Sequence, residues 1–184
     1  MAPVELVRHL GMEPIPVEGG WFLVTWRSDA AGAIVALFTD ADDGFSALHR
    51  LTVTELWFAQ GGDPFELLLL HPDGSSEVVI LGGDVLAGQQ LQVTVAPGVW
   101  MGGRPLGRWS LLSTVTVPPF TDNAFAIGRR DALVAGYPTR PAPSWRCSPT
   151  PTTGSRRCTA SPSPSCGSPT GAIPSSCSCS TRRA

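Results

Sequence analysis

The sequence predicts an all-β barrel or two-sheet sandwich, and three observations carry that prediction. Short runs rich in Val, Leu, Ile, Phe and Trp recur between residues 33 and 117, each bounded by Gly, Pro or Asx turns. Within the best of them, side chains divide between two faces as a pleated strand requires. Helical periodicity is confined to the flanks, which disfavours alternating strand and helix units.

The elements follow in order. Residues 4–10 (VELVRHL) place Val4, Val7 and Leu10 on one side of a short helix that ends at Gly11. Residues 33–39 (AIVALFT) form a strand closed by the acidic turn Asp40-Ala41-Asp42-Asp43-Gly44. In the next strand Phe45, Ala47, His49 and Leu51 share one face, and Ser46, Leu48 and Arg50 the other. After the link Thr52-Val53-Thr54, Glu55, Trp57 and Ala59 face one way and Leu56 and Phe58 the other. Residues 65–71 (FELLLLH) run into the turn Pro72-Asp73-Gly74-Ser75, and strands 77–81, 90–96 and 109–117 follow. A second short helix is expected at 131–135, ended by Gly136 and Pro138.

Composition divides the chain near Pro141. Residues 141–184 hold 11 Ser, 8 Pro, all 5 cysteines and no acid, so they lack the apolar side chains that a core needs. The chain has no Lys, as a GC-rich coding sequence favours, and the tail has the composition of such a sequence translated out of frame. Genuine disorder and a cysteine-rich metal or disulfide module are the alternatives, the latter weakened by an odd Cys count without paired CxxC spacing. We therefore expect a barrel domain at 1–140 and an unfolded tail at 141–184.

The tail carries 5 of the 13 basic residues, which leaves 1–140 with a charge of 8 − 15 = −7. An acidic domain argues against a nucleic-acid surface. The domain contains no cysteine, its first residues lack the apolar stretch of a signal peptide, and no run is long enough to span a membrane. A cytoplasmic protein without a membrane partner is the expectation.

Several separated motifs together resemble the cupin superfamily, and more closely its DUF985, or cupin-5, branch. These are Pro14-Ile15-Pro16-Val17-Glu18-Gly19-Gly20-Trp21-Phe22, Thr25-Trp26-Arg27-Ser28, Phe45-Ser46-Ala47-Leu48-His49-Arg50, Glu55-Leu56-Trp57, Gly62-Asp63-Pro64-Phe65-Glu66-Leu67, Gly98-Val99-Trp100 and Trp109-Ser110-Leu111. The resemblance covers residues 4–138 and implies a cupin-type double-stranded β-helix, or jelly roll. It also implies a homodimer. Metal-binding cupins present H-x-H, then Glu, then a last His after a second turn. Here His49 and Glu55 fill two of those positions, while Leu51 and Met101 fill the others. Leu cannot coordinate and a thioether suits soft metals, so no cofactor is expected beyond weak metal binding by His49 and Glu55.

His49 and Glu55 are therefore the candidate catalytic residues, as a proton-transferring pair, against the plainer reading of a buried hydrogen-bonded pair that knits two strands. Trp57, Trp100, Met101 and Phe45 are candidate ligand-binding residues at the barrel mouth, with core filling the competing role for the tryptophans. Arg27 is a candidate partner for an anionic group. Glu18-Gly19-Gly20 reads as a turn. The function expected is binding of a small anionic or sugar-like ligand, with isomerase or epimerase chemistry that needs no metal. The alternatives are a non-catalytic sensor and, less favoured, a metal-dependent oxygenase. Cupin epimerases also use an opposing acid such as Tyr, and the only Tyr here is Tyr137.

Overall fold

The computed structural model describes residues 3–129, Leu133, Gly136 and Tyr137, and the backbone of two strands, Ser144–Pro149 and Arg156–Ser161. Helix α1 (Pro3–Leu10) leads into β1 (Glu13–Pro14), β2 (Trp21–Arg27), β3 (Gly32–Thr39), β4 (Ser46–Leu51), β5 (Thr54–Gly62) and β6 (Phe65–Leu70). Then come β7 (Ser76–Leu81), β8 (Gln92–Val95), β9 (Trp100–Pro105), β10 (Trp109–Val117) and β11 (Phe125–Ile127). One sheet runs β1-β2-β3-β10-β5-β8 and a second runs β11-β4-β9-β6-β7, with antiparallel neighbours throughout.

The two sheets close on a core that includes Phe38, Trp57, Phe65, Leu67, Met101 and Leu112. Phe38, Trp57 and Phe65 form an aromatic triad, every pair of ring centroids 5.1–6.2 Å apart. Fully burying side chains of this size contributes about 1.5–3 kcal/mol each. The strict alternation of β10 buries Ser110, Leu112, Thr114 and Thr116, so the inward face turns polar where it pairs with the start of β5. A smaller cluster on the outer side of the second sheet joins Leu48, Leu68, Leu70 and Leu133, with Trp100 and Tyr137 packed against it.

Several expectations need adjustment. The strands expected at 65–71 and 90–96 are shorter, with His71 in the following turn and β8 confined to Gln92–Val95. In α1 Val4 is exposed and Leu6, Val7 and Leu10 are the half-buried residues, a face rotated from the one expected. Strand β9 was not anticipated, because Gly102-Gly103 and Pro105 look like turn chemistry. The glycines are there for proximity. A Cβ on Gly102 would lie 2.9 Å from the Leu48 backbone, and one on Gly103 would strike the Glu66 carbonyl, since β9 is wedged between β4 and β6.

Of the second expected helix, Leu133 is helical and buried, and Gly136, expected to end it, is itself helical; residues 131, 132, 134 and 135 fall outside the described residues. In the tail, Ser144–Pro149 and Arg156–Ser161 pair as a separate two-stranded sheet. The other tail residues fall outside the described residues.

Candidate functional site

Strand parity carries His49 and Glu55 into the same interior. His49 lies on β4 opposite Met101 of β9, and Glu55 lies on β5 opposite Thr116 of β10 and Val95 of β8. Both are buried, at 3% and 6% exposure. The His49 ring stacks on Phe125, centroids 5.5 Å apart. Trp57, two residues beyond Glu55 on the same face, is the most voluminous fully buried side chain.

A turn that the sequence reading set aside supplies a third polar group. Glu18 Oε1 accepts a 2.6 Å hydrogen bond from Ser46 Oγ and lies 3.6 Å from His49 Nδ1. The turn is fastened to the barrel by Ala47 N donating to Glu18 O at 3.0 Å and Gly20 N donating to Asp43 O at 2.8 Å. It requires glycine: Gly19 and Gly20 have φ of 106° and 75°, and a Cβ on Gly19 would lie 2.5 Å from the Phe45 carbonyl. Val17 also adopts a left-handed φ of 68°, a strained conformation for a β-branched residue.

Plain alternation separates Ser46 from His49, yet both reach Glu18. The β4–β9 register shifts between them, and this irregularity re-aims one side chain relative to the other. His49 Nδ1 is also 2.8 Å from Ala47 O. A carbonyl can only accept, so Nδ1 carries the proton and, in the neutral ring, Nε2 keeps the lone pair.

Burial is the main cause that pushes the Glu55 carboxyl up to about 7. His49 pulls it down and the Glu18 carboxylate pushes it up, while Thr114 and the Trp57 indole favour the ionised form. The Trp57 contribution is that of a dipole rather than a completed bond, because Glu55 Oε2 and Trp57 Nε1 are both buried without a hydrogen-bond partner.

The other candidates are placed as follows. Met101 is buried in the core beside His49, and Phe45 is buried next to the Glu18 turn. Trp100 points to the opposite side of its sheet, where it packs on the outer cluster and lies under the Arg50 guanidinium at 4.7 Å. Arg27 is exposed, and its guanidinium donates to Phe120 O at 2.9 Å. Glu18, Ser46 and Phe125 were not foreseen. The one available signal was an acid immediately before two glycines ahead of a strand.

Leu51 and Met101 supply hydrocarbon and thioether at positions where metal-binding cupins have imidazoles, and both are core residues. Among the described residues no three His, Cys, Asp or Glu side chains assemble as a metal-ion group. This donor set does not make a four-ligand centre for a borderline or hard metal.

The family model described as the cupin superfamily (DUF985), Cupin_5, matches residues 4–128. The chain belongs to this family. A hypothetical protein from Leishmania major is 27% identical, with a TM-score of 0.69 over 77% of this chain and 96% of that one. A protein from Shewanella oneidensis is 28% identical, with a TM-score of 0.69 over 75% of this cupin and 91% of that chain. Oxalate decarboxylase from Bacillus subtilis shares the fold alone, at 11% identity and a TM-score of 0.52; the match covers 67% of this cupin and 34% of the decarboxylase. Comparison with curated proteins gives no match. No helix among the described residues is long and apolar enough to cross a membrane.

Proposed function

We propose that this cupin binds a small sugar-like ligand inside the barrel and isomerises it by proton transfer between the ligand and the His49/Glu55 pair, without a metal. The observation that carries this reading is the pair of buried polar atoms, Glu55 Oε2 and Trp57 Nε1, left without partners beside His49. A hydroxyl satisfies both, accepting from the indole N–H and donating to the carboxylate. His49 takes a proton on Nε2, and Glu55, protonated up to about pH 7, returns one, so that an isomerisation is proton-neutral. The Glu18 carboxyl at the site and the engagement of the Arg27 guanidinium by Phe120 O favour a neutral hydroxylated ligand over an anionic one.

One observation favours the alternative of a binding protein without catalysis. Tyr137, the lone tyrosine, donates its hydroxyl to His71 O at 2.8 Å and packs on the outer cluster, so it is not an opposing acid for this site. Deuterium exchange separates the two. Native mass spectrometry of the purified full chain identifies a co-purified ligand, which is then incubated with protein in heavy water. Solvent deuterium entering the ligand with the parent protein, and not with His49→Ala, supports isomerisation. Binding without exchange supports the sensor reading.

The same proposal includes a homodimer through β2. Strand β1 pairs only with Trp21 and Phe22, so the outer edge of residues 23–27 has no strand partner among the described residues. Val24 and Trp26 there are about half exposed, at 52% and 53%. Sedimentation of the parent and of Trp26→Lys tests it, with a shift toward monomer expected for the variant.

A further inference from the structure

His49 and Glu55 are buried, so a ligand reaches them only when part of their cover moves. Beyond Trp57, toward Asp63, the interior is filled by Phe38 and Phe65. The Glu18 turn is held to the strands by Ser46 Oγ and by the backbone bonds at Ala47 and Gly20. The connection from β10 to β11, residues 118–124, is held differently. It crosses from the first sheet to the second and ends at Phe125, whose half-buried ring covers one face of the His49 ring. Phe120, 38% exposed, meets Phe125 edge to face at 6.3 Å. Both backbone polar groups of Phe120 are engaged by side chains of the first sheet: its N–H donates to Thr116 Oγ1 at 3.0 Å, and its carbonyl accepts from Arg27 of β2 at 2.9 Å. Residues 120–123 are exposed. A segment with few buried contacts and side-chain anchors opens at lower free energy than a paired strand of the core.

We propose that residues 118–125 are a flap over the barrel interior, closed by the Phe120–Phe125 contact above His49 and latched by Arg27 on the Phe120 carbonyl. Opening parts Phe125 from His49 and admits a small uncharged molecule; closing shuts solvent out. The inference rests on the reading of the interior as a ligand site, and it names the entrance to that site. It also gives Arg27 a role that needs no contact with the ligand: the guanidinium reaches across from the edge of the first sheet to hold the loop in place.

The test is modification of the full chain, without ligand and at one fixed pH, by diethyl pyrocarbonate, a small neutral reagent that acylates imidazole. Peptide mass spectrometry follows each of the three His separately, with His9 and His71 as internal references. In Arg27→Ala, which touches neither His49 nor Phe125, His49 is expected to react about two- to tenfold faster than in the parent, the worth of one exposed hydrogen bond in an opening equilibrium. His9 and His71 are expected to keep their rates. Phe120→Ala is expected to raise the His49 rate as well. Asp63→Ala, which loosens the turn at the far end of β5, is expected to leave it unchanged, and so separates local opening from general destabilisation. Amide hydrogen exchange in Arg27→Ala is expected to quicken over residues 118–127 and not in β5 or β6. An unchanged His49 rate in Arg27→Ala, an equal rise in Asp63→Ala, or exchange that quickens throughout the barrel overturns the proposal. Because these readouts need no ligand, they stand or fall separately from the test of isomerisation in heavy water.

Discussion

The two ends of the β5–β10 ladder each carry a carboxylate, and the two are treated in opposite ways. At one end Asp63 Oδ2 accepts from Arg108 N at 2.6 Å and Trp109 N at 3.2 Å, its own N–H donates to Trp109 O at 2.8 Å, and its carbonyl accepts from Ser110 Oγ at 2.6 Å. This acid is consumed by the turn that it closes. At the other end Glu55 is buried opposite Thr116, with one oxygen unpartnered and its proton affinity raised. A carboxylate whose oxygens are spent on backbone N–H groups stabilises a fold, whereas one kept buried and unsatisfied costs stability and retains a capacity for chemistry.

The comparison can be broken most severely at Trp57. Trp57→Ala removes the largest member of the aromatic triad and is expected to destabilise the protein by about 3–5 kcal/mol. Urea unfolding followed by circular dichroism measures this, and a loss below about 1 kcal/mol would mean that the triad is not the core of the barrel.

Glu55→Gln sharpens the contrast through pH. The folded protein holds the Glu55 proton up to about 7, against 4.5 for an ordinary Glu, so between these values the folded state binds more protons than the unfolded chain. Stability associated with Glu55 is thus fully present below pH 4.5 and is lost as pH rises through 7. The loss is on the order of 3 kcal/mol. The variant is expected to match the parent near pH 4.5 and to exceed it in stability by up to that amount above pH 7. Unfolding curves at the two pH values check it, and an identical pH dependence in both proteins would show that Glu55 is not proton-binding in the folded state.

At the opposite end, Asp63→Ala leaves the Arg108 and Trp109 N–H groups without their acceptor and is expected to cost about 1–3 kcal/mol while leaving interior ligand binding intact. Calorimetric melting, together with native mass spectrometry of the bound ligand, measures both. The smallest effect belongs to Arg27→Ala, expected at about 0.5–1.5 kcal/mol because it removes one exposed hydrogen bond to Phe120 O. A loss of ligand in Arg27→Ala would bring that guanidinium back into the site.

The sequence by itself determined the all-β class, the strands built on clear alternation such as Trp109–Val117, and the inward aim of His49, Glu55 and Trp57, since period-two patterning is a local property. Its motifs also determined the family, and Leu51 and Met101 showed that the metal-ligand set was incomplete. Tertiary structure decided what depends on neighbours distant in the chain. Gly102 and Gly103 belong to a strand because β4 and β6 close around them, and Trp100 faces outward because register with Arg50 puts it there. Glu18 joins His49 across a separation of 31 positions (49 − 18) because a glycine-dependent turn and an irregularity in β4 bring them together. Alternation specifies which way a side chain points; only the closed barrel specifies what it meets.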